Sequence, residues 1–155
     1  YIVKGDIAAS QNDFSGAGAA YLKAEELDPE YYKPYSRLGS LAARRGADEE
    51  TISQHKKAIS LNRNNAVSYI ESGYAYANMD DFENAATMLE VGTSLRPRNV
   101  SALTKLGLSY ERTGRPRAAA SAYLRAVRAA RPNDTSAGFA EKRLKYLMEQ
   151  TRERR

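Results

Sequence analysis

Few side chains in this 155-residue sequence are of the kinds that enzymes use for chemistry. The sequence has one histidine, His55, and no cysteine, which excludes a thiol nucleophile, a disulfide and a cysteine-based zinc site. There is no second histidine to complete a metal site and no G-x-x-x-x-G-K-S/T phosphate loop. We therefore interpret His55 as a packed side chain, and we predict no catalytic site, no metal site and no cofactor.

Two pairs of neighbouring acids, Glu49-Glu50 and Asp80-Asp81, are the remaining candidates for acid–base chemistry. Adjacent residues on a helix point in different directions, so such a pair does not converge on one substrate atom. Acids at the start of a helix instead interact favourably with the helix dipole. We interpret both pairs as parts of helix starts or turns, and we predict that the protein is not an enzyme.

The elements that would position these residues come from a sequence repeat. Glycines recur with a 34-residue period at Gly5, Gly39, Gly73 and Gly107. The similar stretches "YSRLGSLAARRG" (35–46) and "LTKLGLSYERTG" (103–114) lie two such periods apart. Seven positions after the glycines lie Asn12, Gly46, Asp80 and Gly114, residue types that tolerate a left-handed helix end. A period of this length indicates an array of stacked structural units.

Each repeat is predicted to be a pair of helices. The residues Tyr35, Leu38, Gly39 and Ala42 follow the i, i+3, i+4, i+7 spacing of one helix face. The same period continues through Thr51, His55 and Ala58 on a second helix, and Gly46 ends the first. We expect the glycines and alanines to let neighbouring helices approach, because a side chain at Gly39 would hold them apart.

This pattern resembles the tetratricopeptide repeat, a family of 34-residue helix-turn-helix units. The family's Trp-x-x-Leu-Gly-x-x-Tyr signature is similar to "YSRLGSLA" and "LTKLGLSY", with Tyr or Leu in place of Trp. Its second half is similar to Ala17, Tyr21, Ala24 and Pro29, whereas Lys4 and Ser72 occupy positions that are usually Leu. The resemblance covers residues 1 to about 131 and implies an all-α fold, a right-handed α-solenoid of helix-turn-helix repeats.

The repeats predict one domain over residues 1–155, with units at about 1–31, 32–65, 66–99 and 100–133. After them, apolar residues fall on one helix face at Phe139, Ala140, Leu144, Leu147 and Met148. A repeat array ends in an element with a polar outer side, so we predict a capping helix at about 135–152. Because Tyr1 already lies in a helical pattern, we expect the chain to be part of a longer protein. The lack of cysteine is compatible with the cytoplasm and with the bacterial periplasm.

The first helices of stacked pairs are expected to line a concave groove. Residues on their open face are the predicted partner-binding residues: Lys33, Arg37, Arg44, Ile70, Glu71, Tyr74, Lys105, Leu108 and Arg112. Apolar and aromatic side chains beside arginine are typical anchors of binding grooves. We therefore predict a non-catalytic protein–protein interaction scaffold that holds a peptide or helix with acidic and apolar residues. The weak compositional hint of a bacterial source makes an assembly or secretion complex the suggested setting.

The uneven distribution of charge keeps two alternatives open. Residues 1–95 carry nine Lys and Arg against 14 Asp and Glu, a net charge of −5, whereas residues 96–155 carry 15 against five, a net charge of +10. A basic end is typical of a solvated helix surface, but also of a surface for nucleic acid or an anionic membrane. The second alternative is a structural module that self-associates into an oligomer. No apolar run approaches the roughly 18 residues of a membrane span.

Overall fold

The computed structural model describes residues 1–131 and 135–153, with side chains as far as Thr151. Helices without any strand make up the secondary structure of these ranges, and none of them is both long and apolar enough to cross a membrane. The α-helices are α1 (Ile2–Ser10), α2 (Phe14–Leu27), α3 (Tyr32–Arg44), α4 (Asp48–Leu61), α5 (Ala66–Asn78), α6 (Phe82–Leu95), α7 (Val100–Arg112), α8 (Pro116–Ala129) and α9 (Gly138–Glu153), with a short 3-10 helix at Thr135–Ala137. The predicted all-α fold of helix-turn-helix repeats is confirmed. The predicted end of the fourth repeat, at about residue 133, lies outside the described residues.

One turn geometry joins the two helices of every pair. The residues with positive φ are Asn12 (61°), Gly46 (71°), Asp80 (59°) and Gly114 (70°), which recur with the period of the repeat. The N–H of the following residue donates to a carbonyl five positions earlier, as in Ala47 N to Ala42 O at 3.0 Å. This bond satisfies a carbonyl that the helix end leaves open, which is the purpose of a Schellman turn. The predicted left-handed helix ends are confirmed.

The acid pairs lie at turns and helix starts, as predicted. The Asp81 carboxylate caps α6 by accepting a hydrogen bond from Asn84 N at 3.2 Å, while Asp80 forms the left-handed turn before it. In α4, Glu49 and Glu50 lie in the first turn, where the exposed N–H groups favour negative charge. Glu50 also accepts a hydrogen bond from Arg45 at 2.8 Å. Each of these acids therefore has a local structural role.

The chain divides into two compact units, Tyr1–Ala75 and Tyr76–Arg155, and each has its own packed core. In the first unit, a buried cluster joins α2 to α3 through Ala17, Tyr21, Leu38 and Leu41. In the second unit, a buried cluster joins α7, α8 and α9 through Leu103, Ala119, Tyr123, Ala126 and Ala140. Burial of these apolar side chains is the main term that holds the helix pairs together.

Helix α9 covers the last helix pair of the second unit. Ala137 and Ala140 are fully buried, and Leu144 and Leu147 pack against the α7–α8 core. The predicted C-terminal helix is confirmed, but its apolar face is covered only in part, because Phe139 stays 49% exposed and Met148 52% exposed. Phe139 nevertheless meets the Tyr123 ring edge to face, with the ring centroids 6.2 Å apart.

Candidate partner-binding faces

His55 lies at the centre of a buried polar chain in the first unit. Its Nδ1 lies 2.9 Å from Ser68 Oγ, and its Nε2 lies 2.9 Å from Glu71 Oε2. Serine, histidine and glutamate in this order are the parts of a nucleophilic site. However, Ser68 and His55 are both 0% exposed, and the Ser68 hydroxyl also accepts a hydrogen bond from Asn65 Nδ2 at 2.8 Å. A substrate cannot reach this hydroxyl, so the chain of bonds is a packing device and His55 is the packed histidine that we predicted.

The Glu71 carboxylate joins three helices of the first unit. It accepts hydrogen bonds from His55 on α4 and from Ser40 Oγ on α3, the latter at 2.6 Å. Burial acts to raise the pKa of Glu71, but the hydrogen bonds from His55 and Ser40 outweigh burial and hold that pKa below its usual value. Glu71 is therefore ionised at neutral pH, and the acceptor role of its Oε2 puts a proton on His55 Nε2.

A ring from the second helix rests on the repeat glycine of the first helix in three of the pairs. A Cβ added to Gly5 would lie 2.3 Å from the Tyr21 ring, and one added to Gly39 would lie 2.7 Å from the His55 ring. In the second unit, a Cβ on Gly107 would lie 2.5 Å from the Tyr123 ring. Distances under 3.0 Å essentially never occur for a real Cβ. A side chain at Gly39 would therefore have to displace the His55 ring or hold the helices apart, and the latter stays a prediction.

In the first unit, the polar end of the Tyr21 ring is bound to a carboxylate that also holds an arginine. Tyr21 Oη donates to Asp6 Oδ1 at 2.8 Å. Burial and this hydrogen bond raise the pKa of Tyr21 to about 12. The Arg37 guanidinium contacts both Asp6 oxygens, Nε to Oδ1 at 2.8 Å and Nη2 to Oδ2 at 3.1 Å. Asp6 is thus neutralised within the unit, and Arg37 is committed to it.

The second unit repeats this arrangement with different residues. Tyr123 Oη donates to Glu111 Oε2 at 2.7 Å, and Arg143 on α9 donates from Nε to the same oxygen at 3.0 Å and from Nη2 to Oε1. Burial acts to raise the pKa of Glu111, but the hydrogen bonds from Arg143 and Tyr123 hold it below its usual value. Burial and the bond to Glu111 raise the pKa of Tyr123. The negative charge of Glu111 is therefore matched within the unit.

Beside Glu111, three predicted residues share one face of α7. Lys105, Leu108 and Arg112 follow an i, i+3, i+7 spacing, and we call them the α7 stripe. Lys105 and Leu108 are half-buried, and Arg112 is exposed. The Arg112 guanidinium lies 5.1 Å from the centroid of the Phe82 ring, which orients it without neutralising its charge. The α7 stripe therefore presents one apolar side chain between two cations.

The first unit has a related arrangement around Arg44. Its guanidinium lies 5.4 Å from the centroid of the Phe14 ring, and Lys33 Nζ lies 5.6 Å from that of the Tyr31 ring. The sequence analysis identified Arg44 and Arg112 but missed their aromatic partners. A signal was available, because two repeat periods separate Phe14 from Phe82, just as they separate Arg44 from Arg112.

Three predicted partner-binding residues are less open than we expected. Ile70 is 5% exposed, so the expectation that it stands open as an anchor is wrong. Ser36, one repeat earlier, is likewise buried at 6%, and its hydroxyl lies 3.4 Å from Ser68 Oγ on the first helix of the following pair. Arg37 and Glu71 are accessible in part but are bound to partners within the unit. Tyr74 is half-buried. Binding of a partner by any of these residues stays a prediction.

Helix pairs joined by a repeated left-handed turn, three of them with a ring seated on the glycine of the first helix, define a helix-turn-helix repeat scaffold. The chain belongs to the tetratricopeptide repeat family. Family models described as "Tetratricopeptide repeat" match residues 1–31 and residues 70–135.

Solved structures share this fold along most of the chain. A crystal structure of MamA is 26% identical with a TM-score of 0.75, and the match covers 99% of this chain and 98% of that one. The Arabidopsis OM64 TPR domain is 25% identical with a TM-score of 0.66, over 76% of this chain and 96% of that one. A chain of the Cut9–Hcn1 hetero-tetramer of APC/C, 19% identical with a TM-score of 0.76 over 95% of this chain and 29% of that one, shares the fold.

Curated relatives are much longer than this chain. Protein STIP1 homolog of Dictyostelium discoideum is 28% identical over 96 residues, which is 62% of this chain and 17% of the relative. The UDP-N-acetylglucosamine–peptide N-acetylglucosaminyltransferase of Giardia intestinalis is 31% identical over 78 residues, which is 50% of this chain and 5% of the relative. The family and these neighbours together mark the chain as a protein-interaction scaffold in general terms.

Proposed function

We propose that this chain is a non-catalytic scaffold that binds a segment of a partner protein on the α7 stripe. The partner segment carries carboxylates and at least one bulky apolar side chain. One observation carries the proposal. Lys105, Leu108 and Arg112 remain accessible to a partner, while the neighbouring acid, Glu111, is already bound by Arg143 and Tyr123.

The chemistry of the α7 stripe fits a partner with acids on both sides of an apolar residue. A guanidinium can take a carboxylate in a bidentate pair, and stacking on Phe82 reduces the rotamer freedom that Arg112 would lose on binding. Leu108 offers apolar area at the centre of the stripe, and a central apolar contact ringed by polar groups is the arrangement of a binding hot spot. In the first unit, Arg44 on Phe14 and Lys33 offer further cationic contacts.

The finer setting of this function remains a proposal. The match to MamA, which covers nearly the full length of both chains, supports the repeat scaffold along this chain. The transferase named among the relatives shares only 5% of its length with this chain, so its catalytic name is not carried over to this chain. A role in a bacterial assembly or secretion complex is a hypothesis to be tested with the partner.

The test is capture of partners from a lysate of the source organism by the immobilised chain, followed by mass spectrometry. Two stripe variants, Leu108→Ala and Arg112→Glu, are compared with matched controls elsewhere, Leu95→Ala on α6 and Arg63→Glu before α5. A protein retained by the wild type and both controls but lost from both stripe variants is the expected result. Its purified form should bind each stripe variant about tenfold more weakly. Captured proteins that bind all four variants equally would contradict the assignment to the α7 stripe.

A further inference from the structure

The outer side of α2, in the first unit, combines exposed leucine with a cluster of acids. Leu22 is 56% exposed, and a depression of about 340 Å³ is lined by Leu22, Glu25, Glu26, Pro29 and Tyr35. Leu22, Pro29 and Tyr35 are the apolar and aromatic part of this lining, and we call the two glutamates its rim. Asp28 and Glu30 follow on the same end of the helix.

Of these four acids, Glu26 is in an ion pair among the described residues, whereas Asp28 and Glu30 are in none. They lie at the C-terminal end of α2, where the helix dipole is negative and disfavours further negative charge. The nearby cations are Lys23, which binds Glu26 at 2.8 Å, and Lys57, whose Nζ lies 5.6 Å from the centroid of the Tyr35 ring. A partner surface with an apolar side chain flanked by cations would therefore both fill the depression and neutralise its rim.

Helix α8, in the second unit, presents such a surface at equivalent positions of the repeat. Three repeat periods relate Leu22 to Leu124 and Glu26 to Arg128. Leu124 is exposed, and α8 contains arginines but no acid. Arg128 forms no ion pair with any described residue, and neither does Arg117, about three helical turns earlier on the same face of α8. The two helices thus offer the same apolar position with opposite charges around it.

We propose that the occupant of the acidic α2 surface is the basic α8 surface of a second copy of this chain. Leu124 of one copy enters the depression beside Leu22 of the next, and Arg128 faces the glutamates on the rim. A nucleic acid would use the arginines but would leave Leu124 without a role, whereas a second copy engages both. Because the two surfaces differ, the contact is heterologous, and it builds an open chain of copies unless the rotation closes a ring.

The experiment measures mass in solution by sedimentation velocity, from micromolar to millimolar chain and at low and high salt. The wild type should show a mass that rises with concentration and falls with added salt, since the contact depends on charges near solvent. Glu26→Arg or Arg128→Glu alone should weaken self-association at least about tenfold, because each places like charges together. Arg63→Glu changes the net charge as much as Arg128→Glu does, at an exposed position that belongs to neither α2 nor α8, and should leave association unchanged.

Mixing the two single variants is the decisive arm. In an equimolar mixture, a contact between a Glu26→Arg copy and an Arg128→Glu copy joins opposite charges, whichever of the two contributes α2. Association should therefore return to the wild-type level. This result also shows that both variants are folded, and circular dichroism checks each alone. A wild type that stays monomeric throughout, a mixture that fails to associate, or an equal loss with Arg63→Glu would overturn the proposal. Binding of a duplex DNA probe that depends on Arg128, without self-association, would assign α8 to nucleic acid instead.

Discussion

At the scale of single residues, the recurring device is a ring seated on a glycine, with its polar end held by a carboxylate. Tyr21, His55 and Tyr123 occupy the same repeat position and bind Asp6, Glu71 and Glu111 respectively. The glycine was predictable, because its regular spacing needs only the sequence. The carboxylate partner was not predictable, because it lies at a different repeat position in each case. Which acid binds the ring depends on where the polar end of that ring lies.

The glycine contact can be tested with one methyl group. Gly39→Ala should destabilise the protein by about 1–3 kcal/mol, the usual cost of overpacking, because the new Cβ would lie 2.7 Å from the His55 ring. Gly18→Ala is the matched control, since its Cβ would meet nothing closer than Leu41 Cδ1 at 3.9 Å and alanine favours a helix. Chemical denaturation measures both. A Gly39→Ala protein as stable as the control would show that the ring moves aside without cost.

A second residue-scale prediction concerns two buried serines on α5. Ser72 is 1% exposed, its hydroxyl has no hydrogen-bond partner among the described residues, and it occupies a position that is usually Leu in the family. Ser72→Ala should therefore stabilise the protein, by about 1 kcal/mol, because an unsatisfied buried hydroxyl is removed. Ser68→Ala should do the opposite, since Ser68 is bonded to His55 and Asn65. Equilibrium unfolding of the two variants should give shifts of opposite sign.

At the scale of elements, helix spacing predicted the packed face well and the open face poorly. The residues Tyr35, Leu38, Gly39 and Ala42 are buried, as the spacing indicated. The open face is narrower than predicted, because Ile70 and Ser36 are both buried. Ser36 lies against Ser68 on the first helix of the following pair, a contact that depends on the stacking of pairs, which the periodicity of one helix does not contain.

Helix α9, at the end of the array, packs in the manner of the first helix of a repeat. Its buried Ala140 and packed Leu144, together with the buried Ala137 of the preceding 3-10 helix, follow the spacing of a first helix, but Glu141 stands where the repeats carry glycine. Glu141 is exposed, so no second helix packs on that position among the described residues. The helix is therefore suited to end the second unit by covering α8.

Removing residues 135–155 tests this role of α9. The deletion uncovers the side of α7 and α8 that Ala137, Ala140 and Phe139 now contact, and it takes Arg143 away from Glu111. The melting temperature should fall, and solubility should drop as apolar surface is exposed. A chain that ends at Gln150 keeps these contacts and should behave as the wild type. An unchanged melting temperature after the long deletion would show that α9 does not stabilise the unit.

At the scale of the whole chain, the sequence was sufficient for the family and insufficient for the partner. The repeat period survives many substitutions because it reflects backbone packing, and the family assignment needs little else. The binding chemistry depends on which charges are neutralised internally. Arg37 and Glu71 looked available in the sequence, but each is bound within the first unit. On α7, Glu111 is bound to Arg143, and the α7 stripe beside it stays accessible.

The internal carboxylates also make the stability of the chain depend on pH. Glu71 in the first unit and Glu111 in the second have pKa values held below the usual value of 4.5 by their hydrogen bonds. The unfolded chain therefore binds protons first as pH falls, so the stability that these groups contribute is full above about pH 4.5 and is lost as pH drops through their folded pKa values. Melting temperatures measured from neutral pH downward should show this fall.

The double variant Glu71→Gln with Glu111→Gln should melt at a lower temperature than the wild type at neutral pH, and its melting temperature should fall less on acidification. The control Glu149→Gln, at an exposed site on α9, should follow the wild type. If the double variant loses as much stability on acidification as the wild type, these two carboxylates do not control the acid response.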